Sequence, residues 1–225
     1  MIKENPEQIL APYGWCTPPC HKRADQNKQK MTNPLFQTLS QSAADFQHIV
    51  WPIASSFPLV GGGTLKPVEA TATADFKDDL DLLAGIDAWQ VDRGVPMMRG
   101  LASRVQWCGR YDTFSIRYRV PSGQPTEFAK RLTSIRNKDQ GHLFPHLTVQ
   151  AYLEQPGGHL LSCAVVETAA LYDVAQEMDN KGIFQNSFYP EKFGIKTLPN
   201  GTEFIYLHWD FLLYHGILKS ENVRG

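Results

Sequence analysis

At 225 residues, with 42% hydrophobic and 20% charged side chains, the chain is long enough to bury one substantial core, which excludes a disordered tail or a fibre. Lys and Arg (22) nearly balance Asp and Glu (23), for a net charge of -1, so any binding to nucleic acid must come from local clustering of charge. No apolar run reaches the roughly 18 residues of a spanning helix, and the start MIKENPEQIL lacks a basic-then-apolar signal pattern, so we expect a soluble, cytoplasmic protein that crosses no membrane.

Residues 1–30 show neither helical nor strand period and are expected to form a poorly structured N-terminal arm, ahead of a single α/β domain over 31–225. Cys16, Cys20 and His21 lack the second ligand pair that a structural zinc site needs, and the four cysteines are expected to be thiols. From Leu35 to Val50 the apolar spacing predicts a first helix, capped by Thr32 or Asn33 and ended or bent by Pro52. A Gly/Pro-rich stretch follows, with a short strand expected near Leu65–Ala70, then an acidic turn or helix. Three strands come next, Gly85–Val91, Arg99–Trp107 and Thr113–Val120, close enough in sequence to form a meander. Pro125 opens a second helix carrying Phe128, Leu132 and Ile135 on one stripe. A hairpin (LFPHLTVQAYLEQ and HLLSCAVVET, separated by the turn PGG), a third helix (TAALYDVAQEMDN) and a last strand, Glu203–Trp209, complete the order.

Charge is unevenly placed along this order. Residues 66–95 hold seven acids (Glu69, Asp75, Asp78, Asp79, Asp81, Asp87, Asp92) against three bases, whereas residues 99–138 hold nine bases against Asp112 and Glu127. A carboxylate cluster beside a basic strand face is what a metal-dependent phosphodiester site needs: hard oxygen ligands for a divalent cation, and cations for the phosphates. Strand alternation aims Arg104 with Gln106, and Arg117 with Arg119, to one side of their strands.

The order helix, three strands, helix, strand, with GIDAW (Gly85 to Trp89) on one strand and GLASRVQW (Gly100 to Trp107) on the next, resembles the core of the PD-(D/E)XK nuclease superfamily over roughly Met31 to Leu153. The resemblance implies a restriction-endonuclease-like mixed sheet flanked by helices. It also implies a nuclease that hydrolyses nucleic acid with Mg²⁺ or Mn²⁺ bound by an Asp on one strand and a Glu/Gln-x-Lys triplet on the next. Asp87 matches the Asp. Gln106 then takes the Lys place, and Arg104 stands where the pattern has a metal-binding carboxylate, a departure because an Arg cannot ligate a cation. Glu69, Asp79 and Asp81 are the candidates to complete the site, Glu69 matching the acid that many members supply before the Asp strand. On this reading Asp87 and Glu69 hold the metal, Gln106 positions the attacking water, and Arg104 and Arg117 stabilise charge on the phosphate. Arg117, Arg119, Lys130 and Arg131 contact the strand. For the helix, an exposed amphipathic face with a Glu127–Arg131 pair is an equal reading.

Two other functions stay open. One is a binding module for nucleic acid or protein that kept the sheet without cleaving, with a homodimer or a partner protein as its context. The other is a metal-free phosphoesterase built on His146-Leu147-Thr148, which resembles one His-x-Thr motif of the two-histidine phosphoesterases; a second late strand histidine, His208, has Asp210 where a Thr or Ser is expected.

Overall fold

The computed structural model describes residues 34–68, 85–94, 97–185 and 189–225. The expected N-terminal arm with Cys16, Cys20 and His21, the caps at Thr32 and Asn33, and the acidic segment with Glu69, Asp75, Asp78, Asp79 and Asp81 lie outside the described residues.

The first helix is longer than its apolar period suggests. Helix α1 (Pro34–Asp45) widens into a π-helical turn (Phe46–Val50) and continues as α2 (Trp51–Ala54). Pro52 follows directly on the π-helical turn, where Trp51 N–H bonds back to Phe46 O; the wider turn makes room for the ring and the helix passes through it. Strands β1 (Thr64–Pro67), β2 (Ala88–Asp92) and β3 (Met97–Trp107) then pair antiparallel in sequence order; the β2–β3 pair is the first part of the expected meander, and β1 lies on its outer side.

The third expected strand departs from that meander. β4 (Thr113–Arg119) does not lie beside β3 but joins a second, three-stranded sheet in the order β4, β8 (Glu203–His208), β7 (Phe193–Thr197). The chain leaves β3 through Cys108 and Asp112, both with left-handed backbone (φ 66° and 48°), and the Asp112 carboxylate is held by Arg110 Nε (2.7 Å) and Ser162 Oγ (2.7 Å). The place at the edge of β3 is taken in parallel by β5 (Leu147–Leu153), followed antiparallel by β6 (Leu160–Glu167) and the two-residue β9 (Val223–Arg224). The result is a mixed α/β fold: a mixed sheet in the order β1-β2-β3-β5-β6-β9 with helices on both faces.

Burial on both faces follows from alternation in the central strands. Leu147, Val149, Ala151 and Leu153 of β5, with Cys163 and Val165 of β6, pack against Phe46, Val50, Trp51 and Ala54 of the first helical layer. Tyr152, Ala164 and Val166 point the other way, into a core shared with the second sheet, α3 (Glu127–Arg136), α4 (Thr168–Asn180) and α5 (Trp209–Tyr214). Tyr152 ties the two sheets together, its hydroxyl donating to Thr113 O (2.8 Å) and accepting from Thr113 N–H (3.3 Å). Helices α3 and α4 and the β5–β6 hairpin lie where the sequence pattern puts them, whereas β7, α5 and β9 were not anticipated. Among the described residues no helix is long and apolar enough to cross a membrane.

Candidate functional site

A cleft of about 640 Å³ opens between the two sheets, walled by the approach to β2, the polar faces of β3 and β5, strand β4 and helix α3. Each wall is set locally. On β3, Leu101 and Val105 anchor the helical layer, which sends Arg104 and Gln106 to the opposite face. On β4, Phe114, Ile116 and Tyr118 fill the core and leave Ser115 and Arg117 toward the cleft. On α3, Phe128, Leu132 and Ile135 are buried, and Glu127, Lys130 and Arg131, spaced at i, i+3 and i+4, line the cleft together.

Asp87 sits just ahead of β2. Its backbone N–H donates to Leu101 O (2.9 Å) and its carbonyl accepts from Val68 N–H (3.1 Å), so it is locked into the sheet although it precedes the strand's first residue. Its Oδ2 accepts from the backbone N–H (2.6 Å) and hydroxyl (3.2 Å) of Ser103 on β3. Gly85 prepares this position. It has φ +61°, and a Cβ there would lie 2.7 Å from Arg131 Nη2, whose donation to Gly85 O (3.1 Å) pins the turn leading to Asp87. A Gly85→Ala variant is therefore expected to lose about 1–2 kcal/mol of stability through backbone strain alone, read from urea denaturation with an unchanged slope.

Glu127 is the electrostatic centre of the cleft. Its Oε2 accepts from Arg104 Nη2 (2.8 Å) and the Arg117 backbone N–H (3.4 Å); its Oε1 accepts from Arg131 Nη1 (3.0 Å) and the Tyr172 hydroxyl (2.9 Å). Burial alone would raise its pKa, but the Arg104 and Arg131 guanidiniums, the Tyr172 hydroxyl and the Arg117 N–H overcome it and hold the carboxyl at about 2. Burial would likewise lower the pKa of Arg131; Tyr172, Glu127 and Asp87 outweigh it and keep the guanidinium charged.

The residues expected to act are thus largely brought together, with differences in role. Asp87, Arg104, Gln106, Arg117, Lys130 and Arg131 all line the cleft. Arg131 is only 7% exposed and spends its donors on Glu127, Tyr172 and Gly85, which makes it an internal brace rather than a surface phosphate contact. Arg117 is exposed, makes no ion pair among the described residues and lies over the Phe204 ring at 5.9 Å, with Arg104 at 5.4 Å. Arg119 is not part of the cleft lining; it packs on Tyr118 (4.5 Å), bonds its hydroxyl (2.8 Å) and reaches Glu203 at 3.7 Å. Glu69, Asp79 and Asp81 fall outside the described residues.

The two-histidine arrangement is not assembled. His146 precedes β5 at its start, and its Nδ1 accepts from Gly100 N–H (3.1 Å). His208 pairs with Thr113, which bonds Tyr152 near the far end of β5, six residues and about 20 Å along the strand. Thr148 hydrogen-bonds Thr168 (2.8 Å).

Sequence reasoning missed Ser115, Gln150, Tyr172 and Phe204. Gln150 is 1% exposed, and the signal for it was a polar side chain inside the otherwise apolar run LTVQAYL. Among the described residues no group of three or more His, Cys, Asp and Glu is placed to hold a metal. Asp87 fits a hard cation as an oxygen ligand; Glu127 does not, since both of its oxygens already accept two bonds each. Searches against protein-family models, curated proteins and solved structures returned no match to the chain.

Proposed function

We propose that the cleft binds nucleic acid through its phosphates and hydrolyses a phosphodiester bond as a divalent-metal-dependent nuclease of the PD-(D/E)XK type, on a restriction-endonuclease-like sheet. The observation that carries the reading is the convergence of Asp87, Arg104, Arg117 and Lys130 from four separate elements on one cleft. There the cations Arg104, Arg117, Lys130 and Arg131 outnumber the carboxylates Asp87 and Glu127. A surplus of positive charge with one strand-held carboxylate suits a phosphodiester and a cation together. Mg²⁺ or Mn²⁺ would be held by Asp87 and a second acid, Glu69 first among the candidates, and when bound supplies Lewis-acid activation of water and phosphate.

The chain's own residues do the rest. Arg117, exposed at the cleft mouth, takes a phosphate oxygen. Arg104, fixed by Glu127 and Ser115, presents its guanidinium to the charge that builds on phosphorus, and that fixed geometry spares reorganisation during the reaction. Gln106 holds the attacking water. The Cys108 and Cys163 thiols are in keeping with a cytoplasmic setting.

A second reading, strand binding without cleavage, is favoured by one observation: Arg104, which stands where the resemblance would have a carboxylate, is an ion-pair partner of Glu127. Binding in EDTA tests what both readings share. Labelled single- and double-stranded DNA and RNA should bind in a salt-dependent manner, and Arg117→Ala should weaken binding about tenfold and reduce the log–log salt slope by about 1. No binding to any strand at low salt would contradict both.

A further inference from the structure

Gln106 and Gln150 lie on the same face of neighbouring strands. β3 and β5 run parallel with Arg104 opposite Gln150 and Gln106 opposite Tyr152, so the two amides are diagonal neighbours on the floor of the cleft, within reach of each other's long side chains. Gln106 Oε1 is buried and has no hydrogen-bond partner among the described residues; the same holds for Gln150 Nε2. One is an acceptor and the other a donor. An unspent acceptor and an unspent donor, buried at diagonal positions of a polar cleft floor, are groups that proteins satisfy with an ordered water.

The orientation of Gln150 is not accidental. Arg104, pinned by Glu127, donates from Nη1 to Ser115 Oγ (3.2 Å), so the single hydroxyl proton of Ser115 is left to donate to Gln150 Oε1 (3.3 Å). The chain Glu127, Arg104, Ser115, Gln150 thereby turns the amide so that Nε2 is its unspent end. On the neighbouring strand Gln106 keeps its oxygen unspent.

We infer that Gln150 is a positioning residue that shares with Gln106 the water that attacks the phosphodiester, an inference that rests on the proposed hydrolysis. Gln150 Nε2 donates to the water oxygen and Gln106 Oε1 accepts one of its hydrogens, which fixes the direction of a lone pair. Neither amide titrates, so the couple orients the water and takes no proton. Attack forms the bond from water oxygen to phosphorus, the bond from phosphorus to the leaving oxygen breaks, and a proton passes from the water through solvent to that leaving oxygen.

The test has two readouts. A high-resolution crystal structure of the metal-free protein should show a water within hydrogen-bond distance of both Gln106 Oε1 and Gln150 Nε2. Gln150→Leu, close in volume, should lower the hydrolysis rate at saturating strand and metal about tenfold or more, with affinity for the strand in EDTA unchanged and the thermal midpoint little changed, because removing the unspent Nε2 offsets the loss of the bond that Oε1 accepts from Ser115. Gln150→Met guards against a packing defect particular to leucine and should behave alike. A dry floor with the amides bonded to each other would overturn the inference, as would a Gln150→Leu variant that cleaves at the native rate or loses strand affinity and stability instead. If the native protein cleaves nothing, the hydrolysis reading falls and this inference with it; if it cleaves and Gln150→Leu cleaves equally, only this inference falls.

Discussion

Replacing Glu127 by leucine is expected to lower the unfolding free energy by about 3 kcal/mol and the thermal midpoint by about 6–12 °C. The carboxylate compensates Arg131, which is 7% exposed, and Arg104, a quarter exposed, and it accepts from the Tyr172 hydroxyl. Removing it leaves a buried guanidinium without a counter-charge, and that desolvation penalty exceeds what the pair itself contributed. Removing both sides together, Glu127→Leu with Arg131→Met, should return much of the loss, because an apolar replacement of a whole buried pair is close to neutral. The same pairing predicts an acid limit. Glu127 titrates at about 2 in the fold, below the ordinary ~4.3 of an unfolded Glu. Its contribution is therefore complete above that ordinary value and drains away as pH falls toward 2. A Glu127→Gln variant should show a flatter fall in stability over that acid window. A Glu127→Leu protein as stable as the native one, with an unchanged acid limb, would show that the cleft's ionic centre does not hold the fold.

Asp87→Ala is expected to remove at least about two orders of magnitude from the metal-supported hydrolysis rate while the protein stays folded. The backbone at Asp87 is fixed independently of its side chain, by Leu101 O and Val68 N–H, so truncation spares the sheet. What is lost is the carboxylate oriented by Ser103. Strand affinity in EDTA should change little or rise, because a negative charge leaves a cationic cleft. A variant that keeps its rate, or that unfolds, would remove Asp87 from the chemistry.

Much of the site was legible because strand alternation is strict. Arg104 and Gln106 share a face, Arg117 faces the same cleft from the next strand, and Lys130 comes up on the exposed side of a helix whose apolar stripe was plain. The sheet order was not legible, and the reason is physical. Alternation says which side of β4 is apolar but not which strand it pairs with, and the choice is made by two left-handed residues, Cys108 and Asp112, that carry no glycine signature. The parallel neighbour of β3 comes from far along the chain, where no local pattern points. A basic residue on an amphipathic helix is ordinarily solvated, so the sequence points to Arg131 as a phosphate contact; its burial depends on Tyr172 from α4, a long-range partner. One amide in the strand LTVQAYL, Gln150, shows no purpose until Ser115 and Arg104 are seen beside it.

Incubation of the purified protein with labelled single- and double-stranded DNA and RNA in Mg²⁺, in Mn²⁺ and in EDTA decides between cleavage and binding. Strand cleavage is expected with either metal, none in EDTA, and none by Asp87→Ala. Strand binding with no cleavage in any metal would contradict the hydrolytic reading and leave the cleft a binding site, and cleavage that persists in EDTA would contradict the role given to Asp87.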